Sequence, residues 1–261
     1  MGIKDAIINI KNKYYSEGFY AAIRYSKFLI LINFYKKVWH KFINPSLYEL
    51  YQIADKQTID FLSLSRKFNI DQYDSEFQKV FERFNQIGKN EKLNYPKDFG
   101  IDEFEAKFLY GVVRKIKPEI FVETGVANGD SSFFILSAIK KNKIGKLISI
   151  DVNNNVGNLV PKDLRKVWEL KILQRNFSNN FKSILSSLPK VDIFLHDSDH
   201  SYEWQMLEYT TALNRLNKKG LLLSDDIDSS YALIDLIKAN PNKYKVFTIV
   251  TNRKVFGIIR K

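Results

Sequence analysis

Residues 120–132 read Ile-Phe-Val-Glu-Thr-Gly-Val-Ala-Asn-Gly-Asp-Ser-Ser. A short apolar run, Ile120–Glu123, passes directly into a loop with glycines at 125 and 129, and a helical stretch follows at about 130–141. Glycine at those positions lets the backbone turn sharply and approach a ligand with no Cβ in the way. The next apolar run, Lys146–Asp151, ends on an acid, at the point where such folds meet ribose hydroxyls. A strand, a glycine turn, a helix and an acid-ended strand form the cofactor-binding unit of an α/β sheet.

The same alternation continues downstream. Further strands are expected at Leu170–Gln174, Val191–Leu195, Gly220–Ser224, Lys245–Val250 and Val255–Arg260, with helices near 161–168, 179–187, 200–216 and 229–239. Apolar strands without polar alternation, separated by helices, predict a mostly parallel sheet covered on both faces. The last two strands are joined only by Thr251-Asn252-Arg253-Lys254. A connection that short forces an antiparallel hairpin, because a parallel crossover needs a dozen or more residues. The expected fold class is therefore α/β, a Rossmann-like seven-stranded sheet that is mostly parallel and closes with an antiparallel hairpin.

Upstream the character differs. Residues 1–100 read as helices at about 2–13, 17–42, 46–68 and 75–87, with Asn44-Pro45 and Gly88 as breakers. A further helix at 102–116 ends before Pro118. This divides the chain into an N-terminal helical region, 1–100, and a cofactor-binding domain, 101–261.

Two cofactors compete for the loop. A nicotinamide enzyme wants G-x-G-x-x-G so that pyrophosphate sits on a helix N-terminus. Here the spacing is Gly-x-x-x-Gly, with Ala127 where a middle glycine would stand. A tight strand–helix turn with no ligand is the bland alternative. The pattern resembles motif I of the class I S-adenosylmethionine-dependent methyltransferases, which also end their sheet in a hairpin. That resemblance implies S-adenosylmethionine held by Glu123, Thr124, Gly125, Ala127, Gly129, Ser131, Ser132 and Asp151, with Glu123 ordering the loop and the cofactor's amino-acid end. Asn176 and Phe177, after the third strand, take the adenine position, although Phe177 reads equally well as core.

Strand four ends in His-Asp-Ser-Asp-His-Ser-Tyr-Glu, residues 196–203, and strand five in Ser-Asp-Asp-Ile-Asp, residues 224–228. Both ends lie at the ligand-binding edge of a parallel sheet. Clustered carboxylates are costly unless solvated, protonated or neutralised by a cation. Mg²⁺ prefers such oxygen ligands, and it lowers the pKa of a chelated hydroxyl. A histidine three residues after Asp197 suits the role of general base. These stretches resemble the type 24 methyltransferases and are similar to metal-dependent sugar O-methyltransferases that act on macrolides. The resemblance implies Asp197, Asp225 and Asp226 as metal ligands and His200, with Asp197, as the catalytic pair. The pair Asp225-Asp226 departs from the pattern, and Asp199 is an extra carboxylate that competes with Asp197. Without a metal reading, Asp225 or Asp226 caps the following helix and Asp197 pairs with His200 structurally. Tyr202 and Trp204 form either an acceptor wall or core.

Composition sets the remaining bounds. The chain has no cysteine among 261 residues, which excludes disulfides, zinc–thiolate sites and thiol nucleophiles. It carries 41 Lys and Arg against 29 Asp and Glu, net +12, which calls for an anionic partner without naming it. No Asn/Asp-Pro-Pro-Tyr motif follows strand four and no nucleic-acid module is recognisable, so no nucleic-acid partner is expected. The apolar stretch Phe28–Val38 is broken by Lys36 and Lys37 and falls short of the roughly 20 residues of a spanning helix. A cytoplasmic protein is expected, with peripheral contact at the inner membrane surface open to the basic aromatic N-terminal helices. The same helices suit packing on the sheet or a homo-oligomer contact. The expected acceptor is a sugar, a glycan or a related hydroxylated small molecule, with metal-free methyl transfer, nicotinamide-dependent redox chemistry and non-catalytic binding as the alternatives.

Overall fold

The computed structural model describes residues 61–250 and 255–261, together with residues 11, 14, 15, 19, 22, 23 and 26. Apart from residues 11, 19, 22, 23 and 26, which are helical, the helices expected at 2–13 and 17–42, and the 46–60 part of the third, lie outside the described residues. Among those described, no helix is long and apolar enough to cross a membrane.

Seven strands form one sheet in the order β3-β2-β1-β4-β5-β7-β6. They are β1 Ile120–Thr124, β2 Lys146–Asp151, β3 Trp168–Ile172, β4 Val191–His196, β5 Leu216–Ser224, β6 Lys245–Val250 and β7 Val255–Arg260. β1 pairs in parallel with β2 and β4, β2 with β3, and β4 with β5. β7 runs antiparallel between β5 and β6. The chain order reverses between β1 and β4, and the crevice above that switch point is where open α/β sheets hold ligands.

The helices are α1 Phe61–Phe68, α2 Asp74–Asn90, α3 Glu103–Ile116, α4 Asp130–Asn142, α5 Phe177–Ser187, α6 Tyr202–Arg215 and α7 Ala232–Lys238. Successive strand residues point to opposite faces, and two cores result. Val122, Ile148, Phe194 and Leu222 pack with Phe181 of α5, Tyr209 of α6 and Leu233 of α7. Phe121, Leu147, Ile193 and Leu221 pack on the other face with Phe108 of α3 and Phe134 of α4. Leu64, Ile70 and Phe77 join this second core, so residues 61–90 are packed onto the sheet. α3 begins where Asp102 Oδ1 accepts the Glu105 N–H at 2.9 Å, and it ends on left-handed Lys117 just before Pro118.

Three expected elements differ, among them β5, which starts at Leu216, four residues before the expected Gly220. β3 starts at Trp168, two residues before Leu170, and every residue in it is half-buried, so no continuous apolar run marks its start. Trp168 is drawn in by its Nε1, which donates to Ser149 Oγ at 2.6 Å. The stretch read as a helix at 161–168 is a folded loop with one 3₁₀ turn, Arg165–Val167. Buried Val160 and Leu164 supply the helical-looking spacing, while Arg165 donates to the Val160 and Gly157 carbonyls at 2.9 Å and holds the loop closed.

Candidate active site

A cavity of about 700 Å³ opens over the C-terminal ends of β1, β2, β4 and β5. Its walls include Thr124, Gly125, Ala127, Ser131, Asp151, Phe177, Asp197, His200, Asp225 and Asp226. Four of the residues expected to bind the cofactor do not line it: Glu123, Gly129, Ser132 and Asn176. They shape the loops beneath and beside it.

Glu123 is wholly buried under the first turn of α4. Its carboxylate accepts from Ser149 Oγ at 2.5 Å, Ser131 Oγ at 3.1 Å and Ser132 Oγ. Burial pushes its pKa up to about 7 against the pull of those three hydroxyls. Glu123 thus orders the loop from beneath and does not face the cavity. Gly129 is the left-handed N-cap of α4, and Asn176 is the left-handed residue preceding α5.

Gly125 shows why this loop needs glycine. At φ 77° its backbone turns in the left-handed region, and a Cβ there would stand 1.8 Å from the Asp197 carbonyl oxygen. The ends of β1 and β4 are further joined by the Asp197 N–H donating to the Thr124 carbonyl at 3.0 Å. The cofactor loop and the acid-rich loop therefore touch backbone to backbone. Asp151 accepts from Val126 N–H at 2.9 Å through Oδ2 and from Asn153 N–H at 2.9 Å through Oδ1. Both of its oxygens retain acceptor capacity for a ligand hydroxyl.

At the ends of β4 and β5 His200 stands between two carboxylates. Its Nδ1 is 3.5 Å from Asp226 Oδ2 and its Nε2 is 4.0 Å from Asp197 Oδ1. Asp225 is buried beside them, its N–H donating to the His196 carbonyl at 2.9 Å. Asp226 is held at φ 43°, a strained conformation for a residue with a Cβ, of the kind that collects at functional sites. Neither Asp225 nor Asp226 caps the next helix; Ser230 Oγ accepts the Ala232 N–H at the start of α7.

The donor set does not fit a resident Mg²⁺ as it is placed. Among the described residues no three His, Asp or Glu side chains are disposed to hold a metal ion. The imidazole of His200 occupies the space between Asp197 and Asp226, where a cation joining them would sit. As placed, Asp197, Asp225 and Asp226 do not form a ready metal site, and no step is derived through a metal.

Several wall residues went unread in the sequence. Tyr95 and Phe99 are stacked with centroids 6.3 Å apart and line the cavity. Asn128 draws this segment in: its Oδ1 accepts the Asn94 and Tyr95 N–H groups at 3.1 and 2.9 Å, and its Nδ2 donates to the Tyr95 carbonyl at 3.1 Å. The only local sign of this was an asparagine inside the glycine loop. Glu208, also a wall residue, lies on α6 and is almost fully buried. Trp204 lines the cavity, while Tyr202 donates from its hydroxyl to Asp235 at 3.0 Å and packs against the core.

Residues 122–227 match the family described as a methyltransferase domain. No curated protein matches the sequence closely enough to count as a relative. Among solved structures, the fold is similar to an O-methyltransferase from Bacillus cereus in complex with SAH, at 13% identity and TM-score 0.53, covering 74% of this chain and 97% of that one. It is similar as well to the SAH-bound methyltransferase PaMTH1 from Podospora anserina, at 13% identity and TM-score 0.51, covering 73% and 94%. A methyltransferase from Geobacter sulfurreducens aligns at 16% identity and TM-score 0.50, covering 70% and 89%. The chain has the Rossmann-like fold of these methyltransferases, and the family match at residues 122–227 falls on its sheet.

Proposed function

We propose that this methyltransferase domain transfers the methyl group of S-adenosylmethionine to a hydroxyl of a sugar-like small molecule, with His200 as the general base. The observation that carries the reading is the placement of His200 between Asp226 and Asp197 in the cavity shared with the glycine loop. The glycine loop, Asp151 and the aromatic wall at Tyr95 and Phe177 suit a nucleoside cofactor. The acid-rich end suits a neutral polyhydroxyl acceptor, and it disfavours an anionic one by charge repulsion.

In the reaction an acceptor oxygen attacks the sulfonium methyl as its proton passes to a His200 ring nitrogen. Asp226 and Asp197 then neutralise the charge that the ring acquires. S-adenosylhomocysteine leaves, and the proton is lost to solvent.

Calorimetry with S-adenosylmethionine and S-adenosylhomocysteine, followed by label transfer from the methyl donor to a panel of neutral sugars and glycosides, tests this. Binding of both cofactors and labelling of a hydroxyl are expected. Binding of NAD(H) in preference to S-adenosylhomocysteine would overturn the reading in favour of redox chemistry.

A further inference from the structure

We propose that Glu208 is a positioning residue that couples the cofactor loop to the loop carrying His200; this rests on the function proposed above. Glu208 lies in the second turn of α6, 1% exposed, and accepts four hydrogen bonds. Oε2 receives Thr124 Oγ1 at 2.6 Å and His196 Nδ1 at 2.6 Å, while Oε1 receives Trp204 Nε1 at 2.6 Å and Ser198 Oγ at 2.9 Å.

The origins of these donors give the arrangement its meaning. Thr124 ends β1 and immediately precedes the glycine loop. His196 ends β4, and Ser198 lies in the loop that presents Asp197 and His200. One buried carboxylate therefore ties the cofactor side of the cavity to the acceptor side. A buried carboxylate is costly, and a core this apolar has no packing need for one. Four donors aimed at it satisfy it and fix the positions of everything they are attached to.

His196 extends the link. It is fully buried, and taking the Glu208 carboxylate as acceptor assigns the hydrogen to Nδ1. Among the described residues its Nε2 has no hydrogen-bond partner, an uncommon state for a buried ring nitrogen. The ring lies edge-on to His200 with centroids 5.4 Å apart, so the base is seated on a ring whose orientation Glu208 sets. In the same way, a third group orients the base of a catalytic triad.

The chain holds three histidines, so ¹⁵N-imidazole spectra of the full chain separate His196 and His200. Adding S-adenosylhomocysteine to the parent is expected to move both signals, with His196 in its Nδ1–H tautomer. In Glu208→Gln, and independently in the near-isosteric Thr124→Val, the ligand still binds but the His200 response is lost. Turnover of either variant falls about 10- to 100-fold in kcat, the scale set by a small misplacement, with the acceptor KM unchanged. Glu208→Asp is expected to restore part of the response.

Parent-like histidine responses and kcat in both Glu208→Gln and Thr124→Val overturn the proposal. So does a kcat loss matched by equal losses in ligand affinity and thermal midpoint, which marks a purely structural role. Coupled histidine signals without any methyl transfer uphold the link and overturn the proposed reaction instead. A parent that fails to bind S-adenosylhomocysteine overturns both.

Discussion

The two halves of the cavity are built by different means. The cofactor half, at the ends of β1 and β2, is made chiefly of backbone: a glycine turn, left-handed Ala127 and the amide of Val126 fastened to Asp151. The acceptor half, at the ends of β4 and β5, is made of side chains: Asp197, Asp225, Asp226, His200 and Glu208. Backbone shape is local and leaves glycine spacing in the sequence. Side-chain convergence depends on which strands become neighbours, and it leaves only scattered polar residues. The halves meet at Gly125 and at Glu208.

Replacing His200 should separate the halves most sharply. His200→Gln is expected to lower kcat by about 10²- to 10⁴-fold, the usual contribution of a general base, while S-adenosylhomocysteine affinity holds. A parallel loss of cofactor affinity would show that the halves are not separable.

Gly125→Ala attacks the junction itself. The new Cβ would collide with the Asp197 carbonyl at a left-handed φ, so both halves should suffer. A stability loss of about 2–5 kcal/mol is expected from overpacking and backbone strain together, with cofactor binding weakened. Urea unfolding and calorimetry measure the two effects.

Glu123 confines its effect to the cofactor half. Its folded pKa, about 7, lies above the ordinary carboxyl value of about 4.5, so the folded state holds the proton more tightly than the unfolded chain. The stabilisation from the protonated form is complete below about 4.5 and is lost as pH rises through about 7, a swing of about 3 kcal/mol. Glu123→Gln should flatten that part of the stability–pH curve, with the gap over the parent widening between pH 5 and 8. A parent curve already flat across this window would count against the buried, proton-holding carboxylate.

The smallest expected effect is that of a chelator. Because His200 stands between Asp197 and Asp226, excess EDTA should leave turnover within about twofold, less than 0.5 kcal/mol in the barrier. A collapse in activity would mean that the imidazole swings away to admit a cation.

What could be read from the sequence follows the same division. The glycine loop, the strands β2, β6 and β7 at their observed limits, and the closing hairpin were all visible, because each rests on neighbouring residues. The loop at 161–168 misled because Val160 and Leu164 face the core from irregular backbone. Tyr95 and Phe99 were invisible because Asn128 recruits them from thirty-three residues upstream of Asn128 in the case of Tyr95. Glu208 and His196 read as ordinary helix and strand residues, since only the β1–β4 pairing brings Thr124 to them.

The position of β7 has a consequence for biosynthesis. β7 is the final strand, yet it lies inside the sheet, between β5 and β6, and its Val255 carbonyl receives the Ile227 N–H just past Asp226. As the chain leaves the ribosome, β1 to β4 and the glycine loop can assemble early. β5 keeps an open, aggregation-prone edge until residues 255–260 emerge. The acidic turn at Asp225 and Asp226 is therefore locked in place only once residues 255–260 have emerged, well after the glycine loop has formed.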